Sequence, residues 1–189
     1  MAVTDKRLSI ITTTLRLINQ QGFHATPMSQ IAKEARVAAG TIYHYFDSKD
    51  DLIAVVYDYV KERMGASLLL QMEHANGYQA QFWVFWLNQY RFMSQNPDDF
   101  WFLEQYAVSP YIKQDIVAAS RHHYQPIIDF LELGITGGVL RDMDPVLMAY
   151  MLNSQISMIV KLELTGTYQP SMSSLQTLVQ SSWDMVRLL

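Results

Sequence analysis

The residues whose types and spacing suit a specific chemistry best lie between Met28 and Phe46. Met28-Ser29-Gln30-Ile31-Ala32-Lys33-Glu34-Ala35 and Ala39-Gly40-Thr41-Ile42-Tyr43-His44-Tyr45-Phe46 read as two short helices around a three-residue turn, Arg36-Val37-Ala38. In a helix-turn-helix the second helix enters the major groove, so it must be short, exposed along one side and anchored by apolar residues along the other. Ile31, Val37, Ile42 and Phe46 can supply that anchor. Thr41, Tyr43, His44 and Tyr45 are then left partly free to face outward. Gly40 lets the helix start approach a backbone closely. The alternative is an aromatic packing cluster, but Tyr43 and His44 are adjacent and point about 100° apart, so both cannot enter the core of so short a helix.

No comparable constellation supports catalysis. The sequence has no nucleophile elbow, no phosphate-cradling glycine loop and no zinc-binding helix motif, so an enzyme is the least supported reading. His122-His123 invites a metal, yet neighbouring helical residues diverge and no third ligand is set by spacing; no metal or cofactor is expected. Zero cysteines rule out a disulfide framework and thiolate sites and accord with a cytosolic home. The amino end is interrupted by Thr12-Thr13-Thr14 and Arg16, unlike a secretory leader. The richest apolar run, Val146 to Val160, carries Asn153, Ser154, Gln155 and Ser157 and is too short and polar to span a bilayer.

The elements that must position these residues are all helical. The 189 residues, half of them hydrophobic and 17% charged, can bury a sizeable core. Thr26-Pro27, Asn96-Pro97, Ser109-Pro110 and Asp144-Pro145 each set a capping side chain before a proline and mark helix starts. Ser48 with Asp51 resembles a capping box, and Ser171 opens the last segment. Leu8, Ile11, Leu15 and Ile18 form one stripe near the start, and Leu175, Leu178, Val179, Trp183 and Val186 another at the end. The expected helices are 4–21, 28–35, 39–46, 49–74, 78–95, 97–107, 110–133, 145–165 and 171–188. Pro126 should kink or break the seventh near Tyr124. Residues 65–77 read as a joint.

Charge is unevenly spread. Residues 1–46 carry five cations against two carboxylates, a net +3, within a chain of net −4. A basic end on an acidic body suits a surface that meets phosphate, although chance clustering gives the same count.

From Gly22 to Leu52 the pattern Gly22-Phe23, Thr26, Ile31-Ala32, Val37, Gly40-Thr41-Ile42-Tyr43, Tyr45-Phe46, Ser48-Lys49 and Leu52 closely resembles the signature of the TetR family of transcriptional regulators. The resemblance implies an all-α protein with an N-terminal three-helix DNA-binding domain over 1–48 and a helical effector-binding and dimerisation domain over 49–189. It also implies that Thr41, Tyr43, His44 and Tyr45 lie at double-stranded operator DNA and that Lys49 grips a phosphate. Ser29, Arg36, Ala39 and Gly40 complete the expected DNA-facing set. Three positions depart from the family pattern. Arg36 stands where glycine is usual, which costs on the order of 1–2 kcal/mol if the backbone there is left-handed. Ala38 replaces a capping serine, a loss of about 1 kcal/mol. Ala39 replaces a residue that is often polar or basic. Arg36 is expected to compensate in part by reaching a phosphate.

Aromatic and methionine side chains cluster from Trp83 onward, and such residues build pockets for small apolar molecules. Singly, each is ordinary core; together they suggest a pocket. Trp86, Tyr90, Trp101, Phe102, Tyr106, Tyr124 and Met151 are the candidates, chosen because the family's cavity lies among the middle helices. Segment 145–165 is apolar nearly all round and must be covered on both sides. With 171–188 it could form a homodimer contact through Leu152, Ile156, Ile159, Leu175, Leu178, Val179 and Trp183, or simply an internal core. The expected function is a repressor released from a palindromic operator by a small apolar or aromatic ligand; the alternative is a ligand-independent DNA-binding protein or activator of the same fold.

Overall fold

Asp144 and Ser171 cap helices as their positions suggest. The Asp144 carboxylate accepts the Leu147 amide at 2.9 Å, and the Ser171 hydroxyl accepts that of Ser174 at 3.1 Å. Ser48 does the same for Asp51 at 3.0 Å, while the Asp51 carboxylate reaches back to the Asp47 amide at 3.2 Å. These reciprocal bonds satisfy amides that have no partner within a helix.

The computed structural model describes residues 3–106 and 113–188. Ten α-helices occur among them: α1 (Val3–Gln21), α2 (Met28–Glu34), α3 (Ala39–Tyr45), α4 (Lys49–Leu68), α5 (Tyr78–Gln95), α6 (Pro97–Tyr106), α7 (Gln114–Ala119), α8 (Gln125–Thr136), α9 (Pro145–Leu164) and α10 (Met172–Val186). Short 3-10 turns cover Met72–His74 and Ser120–His123. The only β pairing among the described residues is an isolated antiparallel bridge between Leu140 and Arg187.

Several boundaries differ from those the sequence suggests. The helix expected over 49–74 stops at Leu68, and the chain turns through a left-handed Gln71 (φ 63°). The helix expected over 110–133 is divided: Pro126 sits in the first turn of α8, where its missing amide has no consequence, and the 3-10 turn precedes it. The start expected at Ser109-Pro110 lies outside the described residues. Thr26 does not cap α2; its hydroxyl donates to the Gly22 carbonyl at 2.8 Å and tightens the loop after α1. α6 does open at Pro97, as the Asn96-Pro97 pair suggests, but Asn96 turns back to close α5: its backbone and side-chain amides both donate to the Phe92 carbonyl, at 3.0 and 2.8 Å.

By packing, the chain forms two units, one of residues 1–61 with Asp98–Ser120 and the other of Glu62–Pro97 with the chain from Arg121 on. The first has a core of Ile10, Ile11, Leu15 and Ile18 from α1, Ile31 from α2, Ile42 and Phe46 around α3, and Leu52, Ile53, Val56 and Val60 from α4. Phe102 of α6 is fully buried in the same cluster. Leu8, expected on the α1 stripe, is exposed, and Ile10 and Leu17 take its place in the core.

In the second unit α5, α8, α9 and α10 enclose Phe82, Phe85, Trp86, Leu131, Leu152, Ile156, Val160 and Val179. Tyr78 stacks on Phe130 at 4.4 Å, and its hydroxyl donates to the Phe130 carbonyl at 2.8 Å. A buried polar chain crosses the unit: the Trp86 indole donates to Ser182 at 2.9 Å, and the Ser182 hydroxyl donates to Gln155 at 2.6 Å. Satisfied networks of this kind fix helix register, since a slip leaves buried polar groups unpaired.

Gly65 of α4 lies directly beneath the main-chain carbonyl of His123, so that a Cβ placed there would overlap the carbonyl oxygen. Because backbone cannot swing away as a flexible side chain would, Gly65→Ala is expected to destabilise by about 1–3 kcal/mol in urea denaturation. Gly40→Ala, with nothing near its Cβ position, is the control and should leave the midpoint close to the parent's.

Candidate nucleic-acid interface

The recognition helix α3 is held from one side only. Ile42 is fully buried and Phe46, just past the helix end, is 1% exposed, whereas Tyr43 is 58% exposed. His44, Ala39 and Gly40 are also exposed, and Thr41 and Tyr45 are half-buried. Tyr45 packs against the core of the first unit, and His44 meets its ring edge-on with centroids 5.4 Å apart. That division follows from helical periodicity: Ile42 and Tyr45 fall on the core side, and Tyr43 and His44 fall between them toward solvent. The outward face therefore offers a phenol and an imidazole from a helix braced behind by apolar contacts.

Ser29 is exposed in the first turn of α2. Arg36 is exposed and left-handed (φ 57°), the conformation the turn demands of any residue at that place. Its amide and that of Val37 reach back to the carbonyls of Lys33 at 3.2 Å and Ala32 at 3.0 Å, closing α2. Neither Pro27 before α2 nor Ala38 before α3 supplies a side-chain cap.

Lys49, expected on a phosphate, is placed differently. Its ammonium donates to the Phe23 carbonyl and lies over the Phe23 ring, 4.0 Å from the centroid. Desolvation there pulls its pKa below the ordinary lysine value, against the opposing pull of Asp50. In this state Lys49 ties the start of α4 to the loop after α1.

The other expected site residues fall into two groups. Trp101, half-buried against Phe100, and Phe102 belong to the first unit, whereas Trp86, Tyr90, Tyr124 and Met151 belong to the second. Trp86 and Tyr90 are brought together, stacked at 6.2 Å, and the Tyr90 hydroxyl donates to Glu163 at 2.7 Å. Burial first, and then that carboxylate, push the Tyr90 phenol well above its ordinary pKa. Tyr106 ends α6, and its side chain lies outside the described residues. Phe102 is placed in the core of the DNA-binding unit, because α6 packs there.

At the expected dimer contact, Leu152, Ile156 and Val179 are wholly enclosed by their own chain, Ile159, Leu175 and Trp183 are 7% exposed, and Leu178 is half-buried. Besides Val146 in the first turn, the apolar side chains left open on α9 are instead Leu147, Tyr150 and Met158, at 53%, 66% and 57% exposure, nearly opposite on the helix. A helix apolar all round hides which side its own chain will take, and that ambiguity explains the difference.

A feature not anticipated from sequence is an open cleft of about 240 Å³ in the first unit, lined by Arg7, Ala54, Val55, Asp58, Ile116, Ala119 and Ser120. Ser120 donates to Asp58 across it at 2.8 Å. No sequence spacing marks this pair, which is 62 residues apart. No cluster of three or more potential metal ligands occurs among the described residues. No helix of those residues is long and apolar enough to cross a membrane.

With this geometry in view, the comparisons are specific. Residues 10–56 match the family described as bacterial regulatory proteins, tetR family, and residues 77–187 match the tetracyclin repressor-like C-terminal domain. An uncharacterised HTH-type transcriptional regulator of Haemophilus influenzae is 35% identical over 112 residues, which is 59% of this chain and 60% of that protein. The chain thus spans under two thirds of that relative's length. The solved structure of a TetR-family transcriptional regulator from the same organism superposes with a TM-score of 0.84 at 25% identity, covering 100% of both chains. One from Marinobacter aquaeolei reaches 0.90 at 21% identity over 97% of this chain and 96% of that one. The two family matches together take in most of the chain, and the helix-turn-helix lies inside the first: the chain belongs to the TetR family.

Proposed function

We propose that the protein is a DNA-binding transcriptional repressor that acts as a homodimer and leaves a palindromic operator when a small apolar or aromatic ligand binds its second unit. The observation that carries the reading is the exposure of Tyr43 and His44 on a helix whose opposite side, Ile42 with Phe46 behind it, is sealed in the core. Thr41 and Tyr45 flank them at the groove. Ser29, Arg36, Ala39 and Gly40 lie at the backbone around it, in a DNA-binding domain of residues 1–48 with the effector and dimer domain over 49–189. Lys49 reaches phosphate by exchanging the Phe23 carbonyl for DNA.

The ligand is received by Trp86, Tyr90, Tyr124 and Met151 of the second unit. A ligand that favours a conformer with displaced recognition helices needs a coupling of only about 1–3 kcal/mol to change operator affinity 5- to 150-fold. The test is a thermal-shift screen of apolar and aromatic compounds followed by operator titration with each hit. Hits should raise the melting temperature and weaken operator binding. DNA affinity indifferent to every compound that binds contradicts release by ligand and favours the ligand-independent alternative.

The dimer forms through the open stripe of α9, Leu147, Tyr150 and Met158, with the α10 side chains packed behind it. Tyr150→Glu with Met158→Glu places two charges in that contact and is expected to convert a dimer into a monomer in sedimentation, with helical content retained. A monomeric parent protein contradicts the assembly.

A further inference from the structure

Two residues other than glycine hold a left-handed backbone among the described residues, Arg36 at φ 57° and Gln71 at φ 63°. An L side chain in that region crowds the following carbonyl, and such a residue persists only where something else holds it. Glycine would make the turn after α2 without crowding. Among the described residues the arginine side chain finds no compensation. It is exposed, and among the described residues its guanidinium has no hydrogen-bond, ion-pair or ring partner. The carboxylate nearest in sequence, Glu34, is held by Arg16 at 2.9 Å.

We infer that the Arg36 guanidinium binds a DNA phosphate from the turn of the helix-turn-helix, so that at this position folding stability and DNA affinity oppose one another. The inference rests on the DNA-binding reading above and adds what the strained turn is for. A phosphate is the partner because the side chain leaves from the turn and not from the outer face of α3, where Tyr43 and His44 stand. Arginine suits it because its planar fork meets two phosphate oxygens at once.

Four variants of the full chain test this: Arg36→Gly, Arg36→Lys, Gln71→Gly and Tyr43→Ala. Each is melted and then titrated by anisotropy, between about 50 and 200 mM salt, against a duplex selected by the parent protein from a random pool. Both glycine variants should melt about 2–6 °C higher, since both relieve the same crowding. Only Arg36→Gly should bind more weakly, by about 3–10-fold, with a log–log salt slope shallower by about 1. Arg36→Lys should keep the slope. An Arg36→Gly variant with unchanged affinity and slope, while Tyr43→Ala still weakens binding, overturns the phosphate contact and leaves the DNA-binding reading standing. Weaker binding with an unchanged slope also overturns it, because turn geometry and not charge is then at work. A parent protein that selects no duplex removes both readings together.

Discussion

Tyr43→Ala and His44→Ala are each expected to weaken specific duplex binding by about 1–3 kcal/mol, roughly 5- to 150-fold, and to leave folding stability within about 0.5 kcal/mol of the parent's. The two halves of that expectation come from the same geometry. Tyr43 is 58% exposed and His44 is exposed, so truncating either removes little buried surface. Both stand on the face of α3 away from Ile42, which is the face a major groove receives. Anisotropy titrations at one fixed salt concentration, beside thermal melts, separate the two effects. A variant that melts early and binds normally would mean that the side chain is structural. Ile42→Ala should behave in the opposite way, losing stability first, because Ile42 is fully buried.

The second large effect is on folding. Phe102→Ala is expected to cost about 3–5 kcal/mol, because the ring is fully buried against the core of the first unit and its removal leaves a cavity among residues that pack from several helices. Urea denaturation measures it. If Phe102 instead lined a ligand cavity in the working protein, truncation would enlarge an existing space. Stability would then change by much less, and ligand affinity would carry the effect. The comparison variant is Trp86→Phe, which leaves the Ser182 hydroxyl, itself the donor to Gln155, without the indole N–H it accepts. It should cost about 1–3 kcal/mol, the penalty for unpaired buried polar groups.

Much of this arrangement was legible from the residues themselves. The helix starts at Asp144-Pro145 and Ser171 and the break near Pro126 follow from local chemistry that tertiary packing has no reason to override. The anchoring of α3 by Ile42 and Phe46 follows from periodicity alone. Other features depend on contacts distant in sequence. Phe102 and Trp86 are equally aromatic, and nothing local says that one packs beneath the DNA-binding helices and the other among α5, α9 and α10. Lys49 can reach a phosphate or the Phe23 carbonyl, and the choice rests on where the loop after α1 lies. Segment 145–165 is apolar on all sides, so its pattern cannot say which side faces its own chain. Arg36 is the instructive case: departure from glycine was visible as a residue type, but the strain behind it required a backbone angle.

Dimeric recognition of DNA is tested by selection of duplexes from a random pool by the purified full chain at moderate salt, followed by sequencing. The expected product is a palindrome whose half-sites are centred about 34–36 Å apart, or at a related spacing, as two recognition helices of one dimer require. A pool that emerges without preference, or an asymmetric site bound by a single chain, would contradict it.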